Sequence, residues 1–235
     1  MKILVLLSGG LKSAALAADF KDKGHEVQGL FFDYGQTMGG RERHMAKKVA
    51  EALGIDLAVI DLKVFDRLDR DQDYKILQPD LPHETVTPDI IGLHSTMLVL
   101  GGVMAANRAC GAIASGLRAG DGSYHEASNL AMGSIQSLYR TALGSGVTLL
   151  TPFLRETGAK IIQNLAVLPG GARFFVLSTS CLSNRPTACT VCRGCKARVE
   201  NFTKAGIRDT SIAAAQPKKL AQKEKVEEPE ATPAK

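Results

Sequence analysis

The chain has no tryptophan and no long apolar run. A membrane span needs roughly 18–20 uncharged residues; Met97 to Ala106 is too short for that and reads as a buried helix. No secretory leader is expected either, because Gly9, Gly10 and Lys12 interrupt the apolar start Ile3–Leu7 too early. Charge of one sign is scarce. A net +5 is mild and diffuse, which suits anionic small molecules and gives no nucleic-acid footprint. The basic stretch Arg41-Glu42-Arg43-His44 with Lys47-Lys48 has no interleaved aromatics for base stacking, so it reads as a solvated helix face. Asp69, Asp71 and Asp73 alternate without the glycine and glutamate that a calcium loop needs. There is no internal repeat.

Cysteine is scarce too, and its placement is informative. Four of the five cysteines fall at Cys181, Cys189, Cys192 and Cys195, spaced C-x7-C-x2-C-x2-C. Such a cluster fits a metal in a reducing cytoplasm better than a disulfide framework. Four thiolates can close a tetrahedral Zn2+ site at Zn–S distances of about 2.3 Å, and an iron–sulfur cluster is the other option the spacing permits. A closed four-thiolate site has no open coordination position, so its role is structural. Cys181 is expected to come off the end of a preceding strand, and Gly194 to permit the tight turn. Cys110 reads as a buried small residue.

The N-terminal half alternates strand and helix. Residues 3–7 read as a buried strand, 11–23 as a helix ended by Gly24, and Val27–Phe32 as a second strand. Arg41–Leu53 reads as a helix ended by Gly54, and Leu57–Leu62 as a third strand. That pattern predicts a doubly wound α/β domain with a parallel sheet covered on both faces, ligands binding at the carboxyl ends of the strands. Residues 63–93 read as a long polar loop, a candidate lid. Further on, a helix at about 94–109, a strand at Ala112–Ser115, a glycine-rich connection at Gly116–His125, a helix at Glu126–Leu143 and a strand at Val147–Leu150 are expected. The domain reading is 1–180 for the nucleotide-binding domain and 181–210 for a metal-bearing element. Residues 211–235, poor in large apolar residues, are expected to form a disordered tail.

The first strand runs straight into Leu7-Ser8-Gly9-Gly10-Leu11-Lys12-Ser13 and then into a helix. Glycines admit an anion close to the backbone, and the helix N-terminus adds partial positive charge. The Walker pattern G-x-x-x-x-G-K-[ST] is absent. No general base is identifiable, so catalysis would come from positioning and phosphate electrostatics, with Lys12 and Ser13 the candidate catalytic residues.

This segment resembles the Ser-Gly-Gly-x-Asp-Ser signature of the PP-loop ATP pyrophosphatases. Together with Asp33-Tyr34-Gly35-Gln36, the cysteine spacing and the stretch Arg198–Asp209, it makes roughly residues 1–210 similar to the 7-cyano-7-deazaguanine synthase family. The resemblance implies ATP with Mg2+, a Zn2+ at the cysteines, a homodimer, and activation of 7-carboxy-7-deazaguanine as an acyl-adenylate that ammonia or another amine attacks. An acceptor amine on a protein is a further option. Leu7, Ser8, Gly9, Gly10, Leu11, Lys12, Ser13, Tyr34 and Gln36 would bind the nucleotide; Gly116, Asp121, Ser123 and Tyr124 would line the substrate pocket, with Asp121 reading the base.

The chain departs from the family pattern at several chemical positions. Lys12 stands where the family has the aspartate that helps place magnesium. Gly92-Leu93-His94-Ser95-Thr96 replaces Pro-Gly-Arg-Asn, and His94 reads as a cap or surface residue, the alternative being that it takes over part of the missing pair's function. His125-Glu126 stands for Asp-Cys-Arg, and Thr179-Ser180-Cys181 for Trp-Ser-Cys. A diverged enzyme, or a binding subunit that has lost adenylation, is therefore expected. A tRNA sulfurtransferase would require a basic RNA-binding appendage that the sequence does not show.

Overall fold

The computed structural model describes residues 1–62, 92–119, 126–144, 146–183 and 187–213. Five strands, β1 (Lys2–Leu6), β2 (Glu26–Asp33), β3 (Leu57–Asp61), β4 (Ala112–Ala114) and β5 (Thr148–Leu150), form one sheet in the order β3-β2-β1-β4-β5. Every pairing is parallel, with Val5 opposite Gly29 on one side and Ala114 on the other. The chain builds outward from β1 to β3, then crosses back to start β4 on the far side of β1. That reversal opens a crevice at the carboxyl ends of β1 and β4, the place where ligands settle in open α/β sheets.

Strand periodicity decides which helices cover which face, because alternate side chains point to opposite sides. Ile3, Val5 and Leu7 pack with α1 (Leu11–Asp22), α2 (Gly39–Leu53), α5 (Gly158–Val167), α6 (Arg173–Val176) and α7 (Arg193–Ala205). Leu4 and Leu6 face the other way, onto α3 (Leu93–Asn107) and α4 (Asn129–Thr141). The run Ala14-Ala15-Leu16-Ala17-Ala18 is buried throughout, so small side chains let α1 lie close to the sheet. In α3, a Cβ at Gly101 or Gly102 would strike Ile113 of β4 or the Tyr139 ring of α4. The buried Tyr139 hydroxyl donates to Leu98 O at 2.6 Å, and burial raises its pKa. Met97–Ala106 is thus helical as the sequence indicates, but buried only along the Leu98, Gly101, Gly102 and Ala105 face, with Val103 exposed.

Boundaries differ modestly from expectation. α2 starts at Gly39, and α4 starts only after Ser128, whose Oγ accepts from Ala131 N. Gly24 and Gly54 follow their helices with φ of 76° and 62°, the left-handed geometry that ends a helix. Cys110 is buried as expected; of the expected solvated face Arg43, His44, Lys47 and Lys48 are exposed, but Arg41 and Glu42 are half-buried and Glu42 turns to the cavity. No helix among the described residues is long and apolar enough to cross a membrane. The expected lid at 63–93 and the alternating Asp69, Asp71 and Asp73 fall almost wholly, and the tail from 214 onward falls wholly, outside the described residues.

The C-terminal part departs most from the sequence reading. The segment before Cys181 is not a strand; it touches the sheet region through a single bridge, Gly10 to Thr179. Its anchor is Arg198 on α7, which donates to Asp209 Oδ2 (2.6 Å) and Oδ1 (3.1 Å), to Phe175 O (2.6 Å) and to Ser178 Oγ (3.3 Å). Asp209 Oδ1 also accepts from Ser211 N and Oγ, starting the short helix α8 (Thr210–Ala213) inside what the sequence reading assigned to the tail.

Candidate nucleotide cavity and cysteine centre

A cavity of about 330 Å³ lies at the β1/β4 crevice. Of the expected nucleotide residues, Leu7, Ser8, Gly10, Lys12, Ser13, Tyr34 and Gln36 line it, as does the expected substrate residue Gly116. Gly9 and Leu11 support the wall from behind. Gly9 has φ of 74°, and a Cβ there would strike Glu42 O, so the loop is pressed against α2. Leu11 packs on the core beneath. Asp121, Ser123 and Tyr124 lie outside the described residues.

The loop is braced mainly by its own hydroxyls. Ser13 Oγ donates to Gly10 O (2.9 Å) and accepts from Ser8 N (3.2 Å), with Ser8 Oγ 3.2 Å away. Thr179 N donates to Gly9 O at 3.0 Å, clamping the loop from the C-terminal side. Gly10 is the N-cap residue of α1 and supplies no side-chain cap; a helix N-terminus of this kind favours an anion. Lys12 roots under Gly116: a Cβ on that glycine would meet Lys12 Cβ at 3.3 Å.

The turn after β2 is held by Gln36, whose Oε1 accepts from Tyr34 N (2.9 Å) and whose Nε2 donates to Phe32 O (3.3 Å) and Glu42 Oε2 (3.2 Å). Burial raises the Glu42 pKa, and the bond from Gln36 offsets part of that rise.

Across the cavity stands His94, and here the expectation of a cap or surface residue is corrected. Its Nε2 lies 3.1 Å from Ser115 Oγ, which also accepts from Leu117 N. The first turn of α3 is instead satisfied by Glu126, whose Oε1 accepts from Ser95 N at 2.8 Å. Burial lowers the His94 pKa; Glu126 pulls it back up, and Lys12 adds to the lowering. Its surroundings therefore favour the neutral imidazole, which is hydrogen-bonded to a hydroxyl on the cavity wall. Sequence reasoning also missed Met38, Glu42, Met97, Ser115, Leu182 and Arg193 on this wall. Arg193 carried a signal, since it stands between two metal-type cysteines.

The four cysteine Sγ atoms all lie within 4.8 Å of one another. The donor set fits a tetrahedral metal, for which about 2.3 Å bonds imply S···S separations near 3.8 Å. Backbone N–H groups of Leu182 and Cys195 point to Cys192 Sγ, those of Ser183 and Cys189 to Cys181 Sγ, and that of Cys192 to Cys189 Sγ, at 3.3–3.4 Å. This is the second shell that thiolate charge requires. Burial raises the Cys189 pKa, but hydrogen bonds from Cys192 and Val191 outweigh it and bring it to about 7. Gly194 is required for close approach rather than for an unusual φ: it lies in α7, and a Cβ there would strike Ser180 O.

A doubly wound sheet, a glycine loop running from β1 into α1 and a C-terminal four-cysteine centre define a PP-loop type of nucleotide-binding protein. Over residues 2–206 the sequence matches the family described as queuosine biosynthesis protein QueC, and the chain belongs to that family. It is 30% identical over 222 residues to the 7-cyano-7-deazaguanine synthase of Methanoculleus marisnigri, covering 88% of this chain and 96% of that one. It is 28% identical over 221 residues to the same enzyme of Campylobacter jejuni subsp. doylei, covering 88% and 96%. A solved Methanocaldococcus jannaschii protein, described as a predicted subunit of tRNA methyltransferase, aligns at TM-score 0.46 and 21% identity over 68% of this chain and 72% of that one. That likeness is too loose to bear on activity.

Proposed function

We propose that the protein is an ATP-dependent carbon–nitrogen ligase acting on a 7-carboxy-7-deazaguanine-type acid, working in the cytoplasm as a homodimer. The observation that carries this reading is the cavity at the β1/β4 crevice, where the braced glycine loop and the uncapped start of α1 face His94. The relatives' printed activity supplies the substrate class. The triphosphate would lie against Ser8, Gly10, Lys12 and Ser13, with Tyr34 and Gln36 shaping the nucleotide end. Gly116 would adjoin the acid, and Asp121, Ser123 and Tyr124 would complete that pocket.

In the first step a carboxylate oxygen attacks the α-phosphorus; an O–P bond forms, pyrophosphate leaves, and the acid becomes an acyl-adenylate. An amine then forms the C–N bond as AMP leaves with the C–O electron pair. The amine must shed a proton, and His94, whose Nε2 lies 3.1 Å from Ser115 Oγ, would take it. Ammonia is the first amine to consider and a protein amine the second. Zn2+, held by Cys181, Cys189, Cys192 and Cys195, would lock the C-terminal knuckle and take no part in the chemistry.

Incubating the protein with ATP, 7-carboxy-7-deazaguanine and ammonium, with and without magnesium, should release AMP and pyrophosphate. Neither product forming in either buffer refutes the ligase. Lys12, in place of the family's aspartate, favours a second reading: a deazaguanine- or nucleotide-binding subunit impaired in turnover. Calorimetry showing deazaguanine or nucleotide binding without AMP release selects it.

A further inference from the structure

We propose that this cavity takes the polyphosphate of a nucleotide without a divalent cation, its charge being met by Lys12 of the glycine loop and Arg193 of the cysteine centre. This rests on the nucleotide reading above. Both cations line the one cavity although 181 positions separate them in sequence (193 − 12). Each has a fixed root. Lys12 is held in the first turn of α1 with Gly116 packed on its backbone and Cβ. Arg193 follows Cys192 directly at the start of α7, and Cys192 Sγ accepts from the backbone N–H groups of Leu182 and Cys195. Leu182 lines the cavity as well, so the cysteine knuckle contributes a piece of the nucleotide wall.

The opposing inventory is poor in metal ligands. Magnesium demands near-ideal octahedral oxygen coordination, usually supplied by one or two carboxylates, phosphates and waters. Among the described lining residues the sole carboxylate is Glu42, whose Oε2 accepts from Gln36 and whose charged form burial disfavours. Two cationic side chains on the same wall also disfavour a dication there. The same cations suit the phosphate oxygens of a tetra-anion, with Arg193 able to bind two oxygens at once. Where the family resemblance leads one to expect magnesium at the loop, this chain presents ammonium and guanidinium.

The test is calorimetric titration of the full chain with ATP and with inorganic tripolyphosphate, in EDTA and in magnesium. Both probes should bind in EDTA within about twofold of their affinity in magnesium, or tighter. Lys12→Ala and Arg193→Ala should each weaken binding in EDTA by about tenfold or more, equivalent to roughly 1.4 kcal/mol. Arg193→Lys should recover part of the loss. Lys12→Asp should bind ATP poorly in EDTA and regain affinity with magnesium. Arg193 is exposed, so its variants should melt like the parent chain. ATP binding only with magnesium overturns the inference and leaves the nucleotide reading standing. An Arg193→Ala variant that binds both probes like the parent overturns the joint site. Failure of ATP to bind in either buffer overturns the nucleotide reading itself.

Discussion

Replacing Asp209 by asparagine should unmask the buried ion pair that ties the chain after α7 to the Phe175–Ser178 segment. The Arg198 and Asp209 side chains are only 5% and 7% exposed, and the guanidinium contacts both carboxylate oxygens. Asparagine keeps the shape and removes the charge, stranding a buried cation. Losing one partner of a buried pair costs about 3–5 kcal/mol, or a melting shift of about 6–20 °C at roughly 2–4 °C per kcal/mol for a chain this long. The double variant Arg198→Met/Asp209→Leu leaves no orphaned charge and should recover much of that loss, although Phe175 O and Ser178 lose their donor. Burial alone would raise the Asp209 pKa, but the bonds and charge of Arg198, with Ser211, outweigh it and hold it below 3.8. A depressed carboxylate stabilises the fold above its unfolded pKa, and that stability is lost as pH falls through the folded value. The gap between parent and Asp209→Asn should therefore be full at pH 7 and shrink on acidification below about pH 4. Calorimetric melts across that range measure it. A loss under about 1 kcal/mol at pH 7, or a gap unchanged in acid, refutes the reasoning.

Gly9→Ala forces a side chain into Glu42 O at φ of 74°; it should cost about 1–3 kcal/mol and abolish ATP binding in titration. Cys192→Ser should drop zinc from one ion per chain to none by elemental analysis, lower the melting temperature, and weaken ATP binding by loosening Arg193 and Leu182. His94→Asn should leave ATP affinity within about twofold while slowing amine-dependent product formation by about 10²-fold or more. In the parent enzyme the acid limb of the rate should fall below pH 6.5, because His94 is held under that value. An unshifted acid limb in the variant would exclude His94 as the proton acceptor.

The first half of the fold is legible because its signals are local. A run such as Ile3–Leu7 is buried on both faces, and Gly24 and Gly54 mark helix ends with left-handed turns that other residues resist. The glycine loop and the cysteine centre are legible for the same reason, since spacing along the chain carries them. What the sequence hides is set by partners far away. α5 and α6 have apolar residues at helical spacing, yet their faces make sense only against α1 and α7. The expected strand before Cys181 gives way to a helical turn and an irregular segment because Arg198, about twenty residues on, claims Phe175 O and Ser178 O. His94 looks like an ordinary helix-start residue until Glu126 is seen to satisfy the α3 terminus, which leaves the imidazole to the cavity.

The described substitutions that set this chain apart from its family pattern share one address. Lys12 and His94 line the β1/β4 cavity and Thr179 donates to the glycine-loop backbone, while His125 lies outside the described residues; Arg193, which is not among those departures, lines the same cavity. The core strands, the helix-ending glycines and the four thiolate ligands keep their roles. A cavity with one metal-placing carboxylate exchanged for a cation, a second cation mounted on the cysteine knuckle and an imidazole set opposite them is a coherent electrostatic design. It favours a polyanion with its own charges and keeps one base within reach. On the proposed reading the site is re-tuned for its nucleotide and acceptor, and the four-cysteine knuckle contributes Leu182 and Arg193 to its wall.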